Sequence, residues 1–153
     1  NKILPVTADN NFKGYRISLW AFVLFTALMT WRSIIHMFFE EYGLHEIANV
    51  IELEGNPDPM PLIYIFFSVW GLAQTIFCIV CWVVITRYRS LIPLMYFLWI
   101  IEWGLRAFVY PIMSGDPIGS GTYTDGTTPG HIMAPYITLF LLIFFVISLM
   151  QRD

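Results

Sequence analysis

Four apolar stretches divide this chain, at about 17–39, 62–85, 91–113 and 132–150, and polar connections separate them. Each has roughly the 20 residues that a helix rising about 1.5 Å per residue needs to cross a hydrocarbon layer about 30 Å thick. The pattern predicts an all-α fold: an integral membrane four-helix bundle forming a single domain over residues 1–153. With four spans, both termini fall on the same side.

The first outer connection carries a shorter period. Leu44, Ile47, Ala48 and Ile51 repeat at i, i+3, i+4 and i+7, while His45, Glu46, Asn49 and Glu52 take the other face. This predicts a short amphipathic helix lying on the membrane surface, separated from the first span by Gly43. The run Asn56-Pro57-Asp58-Pro59-Met60-Pro61 then ends it and launches the second span, because proline is tolerated in a helix's first turn and disfavours helix just before itself. In the second outer connection, Thr124-Asp125-Gly126-Thr127 favours a tight turn within a small hairpin.

Composition changes the picture only by excluding an ordinary soluble core: 58% of residues are hydrophobic, 18% are aromatic and the mean hydropathy is +0.66. The first span is too long, and too aromatic at its end, to read as a cleaved signal peptide. Charge supplies orientation. Lys2, Lys13 and Arg16 precede the first span, Arg87 and Arg89 occupy the turn between the second and third, and Arg152 follows the fourth. The opposite connections hold Glu40, Glu41, Glu46, Glu52, Glu54, Asp58, Asp116 and Asp125, with no Lys or Arg. By the positive-inside rule both termini are cytoplasmic. The expected location is a multi-pass position in a bacterial inner membrane. Trp20, Trp31, Trp82 and Trp99 are candidates for the interfacial belt, while Trp70 and Trp103 fall deeper. No basic patch with interleaved aromatics suggests a nucleic-acid partner.

Two basic residues break the pattern, Arg32 and Arg106, which lie inside apolar spans. Each costs about 2.5–3.5 kcal/mol on insertion scales, so a function is expected where they sit. Both fall about 22 Å from the cytoplasmic start of their helices, at a similar depth in the outer half. Glu102 is one turn before Arg106 in the favourable i, i+4 orientation, and His36 is one turn beyond Arg32. Ser68, Trp70 and Gln74 descend to comparable levels on the second span, and Tyr110 and Tyr136 cap the region. The cluster holds two positive charges and one negative, unless His36 or an acidic loop residue compensates. Two readings stay open. One is a ligand pocket of Arg32, His36, Ser68, Gln74, Glu102, Arg106 and Tyr110 that holds an anionic or carbonyl-bearing amphiphile, such as a lipid headgroup, a fatty acid or a quinone ring. The other is an ion pair that bolts the first and third spans together.

Other constellations are weaker. His36, Glu40, His45 and His131 all lie near the outer face and are the candidates for a metal site, although Gly43 interrupts the helix and no H-E-x-x-H occurs. Cys78 and Cys81 form a C-x-x-C string surrounded by Ile, Phe, Val and Trp, which reads as packing rather than as an activated thiolate. No nucleophile-base-orienter set or phosphate-cradling loop appears.

Phe67-Ser68-Val69-Trp70-Gly71-Leu72, the run from Glu102 to Tyr110 (Glu-Trp-Gly-Leu-Arg-Ala-Phe-Val-Tyr) and Ala134-Pro135-Tyr136 resemble helices of the ergosterol-biosynthesis scaffold family. The glycine and polar residue of the second span, with the arginine of the third, are also similar to bacterial four-span proteins of the DoxX-like type. The acidic loop from Glu40 to Asp58 and the Gly-rich loop before His131 depart from both patterns. The resemblance implies a four-helix bundle that either scaffolds other membrane enzymes or has no assigned activity; DoxX itself is associated with quinone-linked sulfur oxidation. The expectation is therefore a non-enzymatic accessory or scaffold subunit, using faces that include Ser68 and Gly71 to meet other integral membrane proteins or further copies of itself. The alternative is a binder, or an enzyme, for a lipid or quinone in the arginine pocket.

Overall fold

The computed structural model describes residues 2–150. Arg152, expected on the cytoplasmic side, lies outside the described residues. Among the described residues, four helical segments are long and apolar enough to cross a membrane: Arg16–Phe38, Met60–Arg87, Arg89–Ser114 and Pro129–Leu149. The first, second and fourth are single helices, α1 (Arg16–Phe38), α2 (Met60–Arg87) and α5 (Pro129–Leu149). The third is composite: a short 3-10 turn leads into α3 (Ile92–Gly104), then a π turn Leu105–Val109, then α4 (Tyr110–Ser114). Its π turn has a local cause. Pro111 has no N–H and its ring would meet the carbonyl one turn earlier in a regular helix, so the backbone widens just before it, with the Tyr110 N–H donating to Leu105 O.

The helices pair two by two. α1 packs mainly on α2, and α3 on α5, while α2 and α3 touch sparingly although a short turn joins them. Gly71 sets the closeness of the first pair: a Cβ there would stand 2.6 Å from Met37 N and 2.8 Å from the His36 carbonyl carbon. In lipid, where helices gain nothing from hiding apolar surface from water, such small-residue contacts are a main source of association. This corrects the expectation that Gly71 faces an outside partner. Its face is taken by α1.

Between the pairs lies a core of Phe22, Phe25, Met29, Cys78, Cys81, Tyr96, Trp99, Trp103 and Leu141. Trp99 meets Phe25 edge-on at 5.3 Å and Phe77 at 4.7 Å, so it is a core residue and not part of an interfacial belt. Trp82 is likewise committed inward, its Nε1 donating to Thr30 Oγ1 at 3.0 Å, whereas Trp20 and Trp31 are exposed on the outside of the bundle. Cys78 and Cys81 are fully buried and unbridged, as small packing residues should be.

Both chain ends lie on one side. Lys2 Nζ donates to Leu149 O at 2.9 Å, and Asp9 exchanges hydrogen bonds with Ser90 in the α2–α3 turn, the Ser90 N–H reaching Asp9 O at 3.1 Å. Lys13, Arg16, Arg87 and Arg89 therefore gather on that side, as the charge pattern requires. On the opposite side the two acidic connections pair with each other. Val50 and Thr124 form an antiparallel bridge, Ile51 N–H donates to Tyr123 O and Asp125 N–H to Asn49 O, both at 3.0 Å. The expected hairpin within the second connection is thus replaced by pairing between connections.

The surface helix of the first connection is present but short, a π turn Tyr42–Ile47. Ala48 and Ile51 lie beyond it, because Asn49 takes a left-handed conformation (φ 55°) and ends the helix, as asparagine does at this position. The break after α1 falls at Phe39 rather than at Gly43, which sits inside the π turn, buried beside Phe67 and His36.

Candidate functional site

Arg32 and Arg106 meet, as their equal depth predicts. The Arg32 guanidinium carbon lies 5.0 Å from the Trp70 ring centroid and 5.5 Å from that of Trp103; Arg106 lies at 4.7 and 4.6 Å from the same two rings. Two cations so share one pair of indoles, an arrangement in which each ring's quadrupole offsets part of the cost of the charge. The tryptophans come from different spans. Trp70 projects from α2, and Trp103 from α3, where it is buried one turn before Arg106.

Each arginine has its own polar partner. Arg32 Nη1 donates to Gln74 Oε1 at 3.1 Å, and the Ser33 hydroxyl donates to the same oxygen at 3.0 Å, fixing the amide. Arg106 Nη2 pairs with Glu102 Oε1 along the helix. Among the described residues no carboxylate pairs with Arg32, and the remaining ion contact, His131 Nε2 to Asp116 Oδ2 at 3.6 Å, lies in the loop region. His36 stacks on Trp70, with centroids 4.8 Å apart and planes at 25°, and leans on Phe67 at 4.4 Å. Three buried polar atoms of this cluster have no hydrogen-bond partner among the described residues: His36 Nδ1, Glu102 Oε2 and Trp103 Nε1. Leaving such an atom unpaired costs about 1–3 kcal/mol, so three together mark a place where packing alone has not been optimised.

The cluster opens sideways. A groove of about 500 Å³ is lined by Trp70, Glu102, Leu105, Arg106 and Tyr110, in the gap where α2 and the third span touch little. Leu105 and Tyr110 are exposed at its rim, on the outside of the bundle. The π turn begins at Leu105 and contains Arg106, so the distortion that Pro111 imposes falls on the groove wall. Arg32 sits deeper, its Nη2 against the first turn of α5 at Gly130, and is absent from the groove lining.

Of the residues expected to form a pocket, Arg32, His36, Gln74, Glu102, Arg106 and Tyr110 belong to this cluster or its rim. Ser68 does not: it is half-buried on α2 and the groove does not reach it. Tyr136 is exposed on α5 and also lies outside the lining. The metal candidates are dispersed. His45 spends both ring nitrogens, Nδ1 on Val50 O at 2.6 Å and Nε2 on Tyr64 Oη at 2.8 Å, tying the first connection to α2. His36 is in the aromatic cluster, His131 faces Asp116, and Glu40 joins neither. Among the described residues no group of three or more His, Cys, Asp or Glu side chains could hold a metal ion. Trp103 is what residue reasoning missed as a site component, whereas Trp70 was placed at the depth of the cluster but not among its ligand-binding residues. The signal was there, since Trp103 is three residues before Arg106 and therefore on its helical face.

The fold and the buried charge define a multi-pass helical membrane protein with an aromatic-lined lateral groove that carries the Arg106–Glu102 pair. No protein-family model, curated protein or solved structure matches the chain.

Proposed function

We propose that this protein binds an amphiphile in the membrane, holding its anionic or carbonyl-bearing head at Arg106 with the tail lying in the lateral groove. The observation that carries this reading is the charge imbalance at the shared indoles: two guanidiniums and one carboxylate, beside an opening lined by Trp70, Leu105 and Tyr110. A structural cluster of one Glu and two Arg that bolts the spans together does not by itself call for an opening beside the charges. Intramembrane ionisable groups that face a cavity are commonly functional, and an arginine fork suits carboxylate, phosphate and carbonyl oxygens alike.

The test is native mass spectrometry of the protein extracted gently from its own membrane. Wild-type chain should retain one small amphiphile per copy, and Arg106→Gln should lose it. Leu105→Trp, which fills the groove without touching a charge, should lose it too and serves where the arginine variant folds poorly. Equal retention in wild type and both variants would contradict the proposal.

A further inference from the structure

We infer, resting on that reading, that the ligand's head is a single terminal carboxylate and that it enters sideways from the hydrocarbon layer. The argument about charge runs through Arg32. Its hydrogen-bond partner is the neutral amide of Gln74, and its ring partners are shared with Arg106, whose one ion pair is with Glu102. Among the described residues the cluster therefore keeps one positive charge without an opposing carboxylate; that charge is on Arg32, behind the groove, and acts on a head at Arg106 across the indoles the two arginines share. A buried charge is tolerated when paired, and one monoanion completes the pairing. A neutral quinone or alcohol leaves the excess as it stands. A phosphate monoester, carrying close to two charges, replaces it with a net negative charge next to Glu102. A carboxylate also has the planar, two-oxygen geometry that matches a guanidinium edge.

The route follows from the loops. Above the cluster the two connections are stitched by the Val50–Thr124 bridge, by Asn49 Nδ2 to Thr127 O at 2.7 Å and by Thr128 Oγ1 to Ala48 O at 2.6 Å. The first turn of α5 continues this cover directly over Arg32, with Gly130 against its Nη2. The groove instead lies between α2 and the third span, where Leu105 and Tyr110 are exposed on the outside of the bundle. A single-chain amphiphile sliding in from the lipid brings its head to Arg106 first and leaves its tail at the lipid-facing rim. A glycerophospholipid has its phosphate in mid-molecule, with substituents on both sides to accommodate.

The experiment uses delipidated full-length protein in detergent, offered palmitate, hexadecanol, methyl palmitate and phosphatidylglycerol in competition, with occupancy read by native mass spectrometry. Palmitate should exceed hexadecanol and methyl palmitate at least about tenfold, and Glu102→Gln, which removes the competing carboxylate, should raise palmitate affinity by roughly another order of magnitude. For the route, Val50→Cys with Thr124→Cys, oxidised across the bridge, should leave the palmitate loading rate unchanged, whereas Leu105→Trp should slow it. Palmitate and hexadecanol binding alike, or phosphatidylglycerol outcompeting both, with loss on Arg106→Gln, would overturn the carboxylate assignment while leaving an amphiphile site in place. Loading that slows when the loops are locked would overturn lateral entry. Binding of no probe above the level of the Leu105→Trp variant would bring down the site reading itself.

Discussion

Arg32 and Arg106, on different spans, lie over the same two indole rings, Trp70 and Trp103, at distances between 4.6 and 5.5 Å. The arrangement makes each tryptophan a shared support for two charges. Removing one ring should therefore cost more than its packing alone. Trp70→Ala is expected to lower stability by about 2–4 kcal/mol, combining lost aromatic packing with up to about 2 kcal/mol per desolvated cation–π contact, while Trp70→Phe should keep most of it. Thermal unfolding in detergent checks this; equal losses for the alanine and phenylalanine variants would remove the electrostatic part of the argument.

Gly71 and Gly104 offer a matched pair. A Cβ at Gly71 meets the backbone of α1 at 2.6 Å, whereas at Gly104 the nearest atom is Thr138 Cγ2 at 3.8 Å. Gly71→Ala must move α1 away from α2 and should destabilise by about 1–3 kcal/mol, and Gly104→Ala should be near neutral or slightly stabilising. Because His36 is in the displaced segment, Gly71→Ala should also weaken ligand retention. The pair of melting temperatures decides the first point, and retention by mass spectrometry the second.

Pairing between the two outer connections rests on few bonds, two of them from the side chains of Asn49 and Thr128. Asn49→Ala removes a hydrogen bond and places a residue less suited to φ 55° at that position. Faster amide exchange at Ile51 and Asp125, the two donors across the pairing, is the expected result, by about tenfold or more. Thr128→Val should act in the same direction through its lost bond to Ala48 O.

Cys78 and Cys81 are fully buried among Phe, Trp and Met. Neither thiol should react with maleimide in the folded protein, and both should react after denaturation in dodecyl sulfate. Labelling of either in the folded state would mean that the core between the two helix pairs opens to reagent.

How much of this was legible beforehand differs by feature. The spans were, to within three residues at each end, because twenty apolar residues in a row leave a chain few options. Meeting of Arg32 with Arg106 was also legible, since rise per residue alone puts them level and cost makes them seek shelter. The π turn at Leu105–Val109 was not, although Pro111 announces a disturbance, because a proline can equally kink a helix or end it. Nor was the destination of Gly71: a small residue on a span reads the same whether it meets a neighbour within the bundle or one outside it. The pairing of Val50 with Thr124 was hidden for a different reason, as contacts between distant loops leave no period in either.

The most direct test of the site is photolabelling with a fatty acid that carries a diazirine close to its carboxyl end, followed by peptide mapping of the adducts. Label is expected at Trp70, Leu105 and Tyr110, the groove residues around Arg106, and excess unlabelled palmitate should suppress it. Label spread over the exposed faces of α1 and α5, unaffected by competitor, would contradict the account.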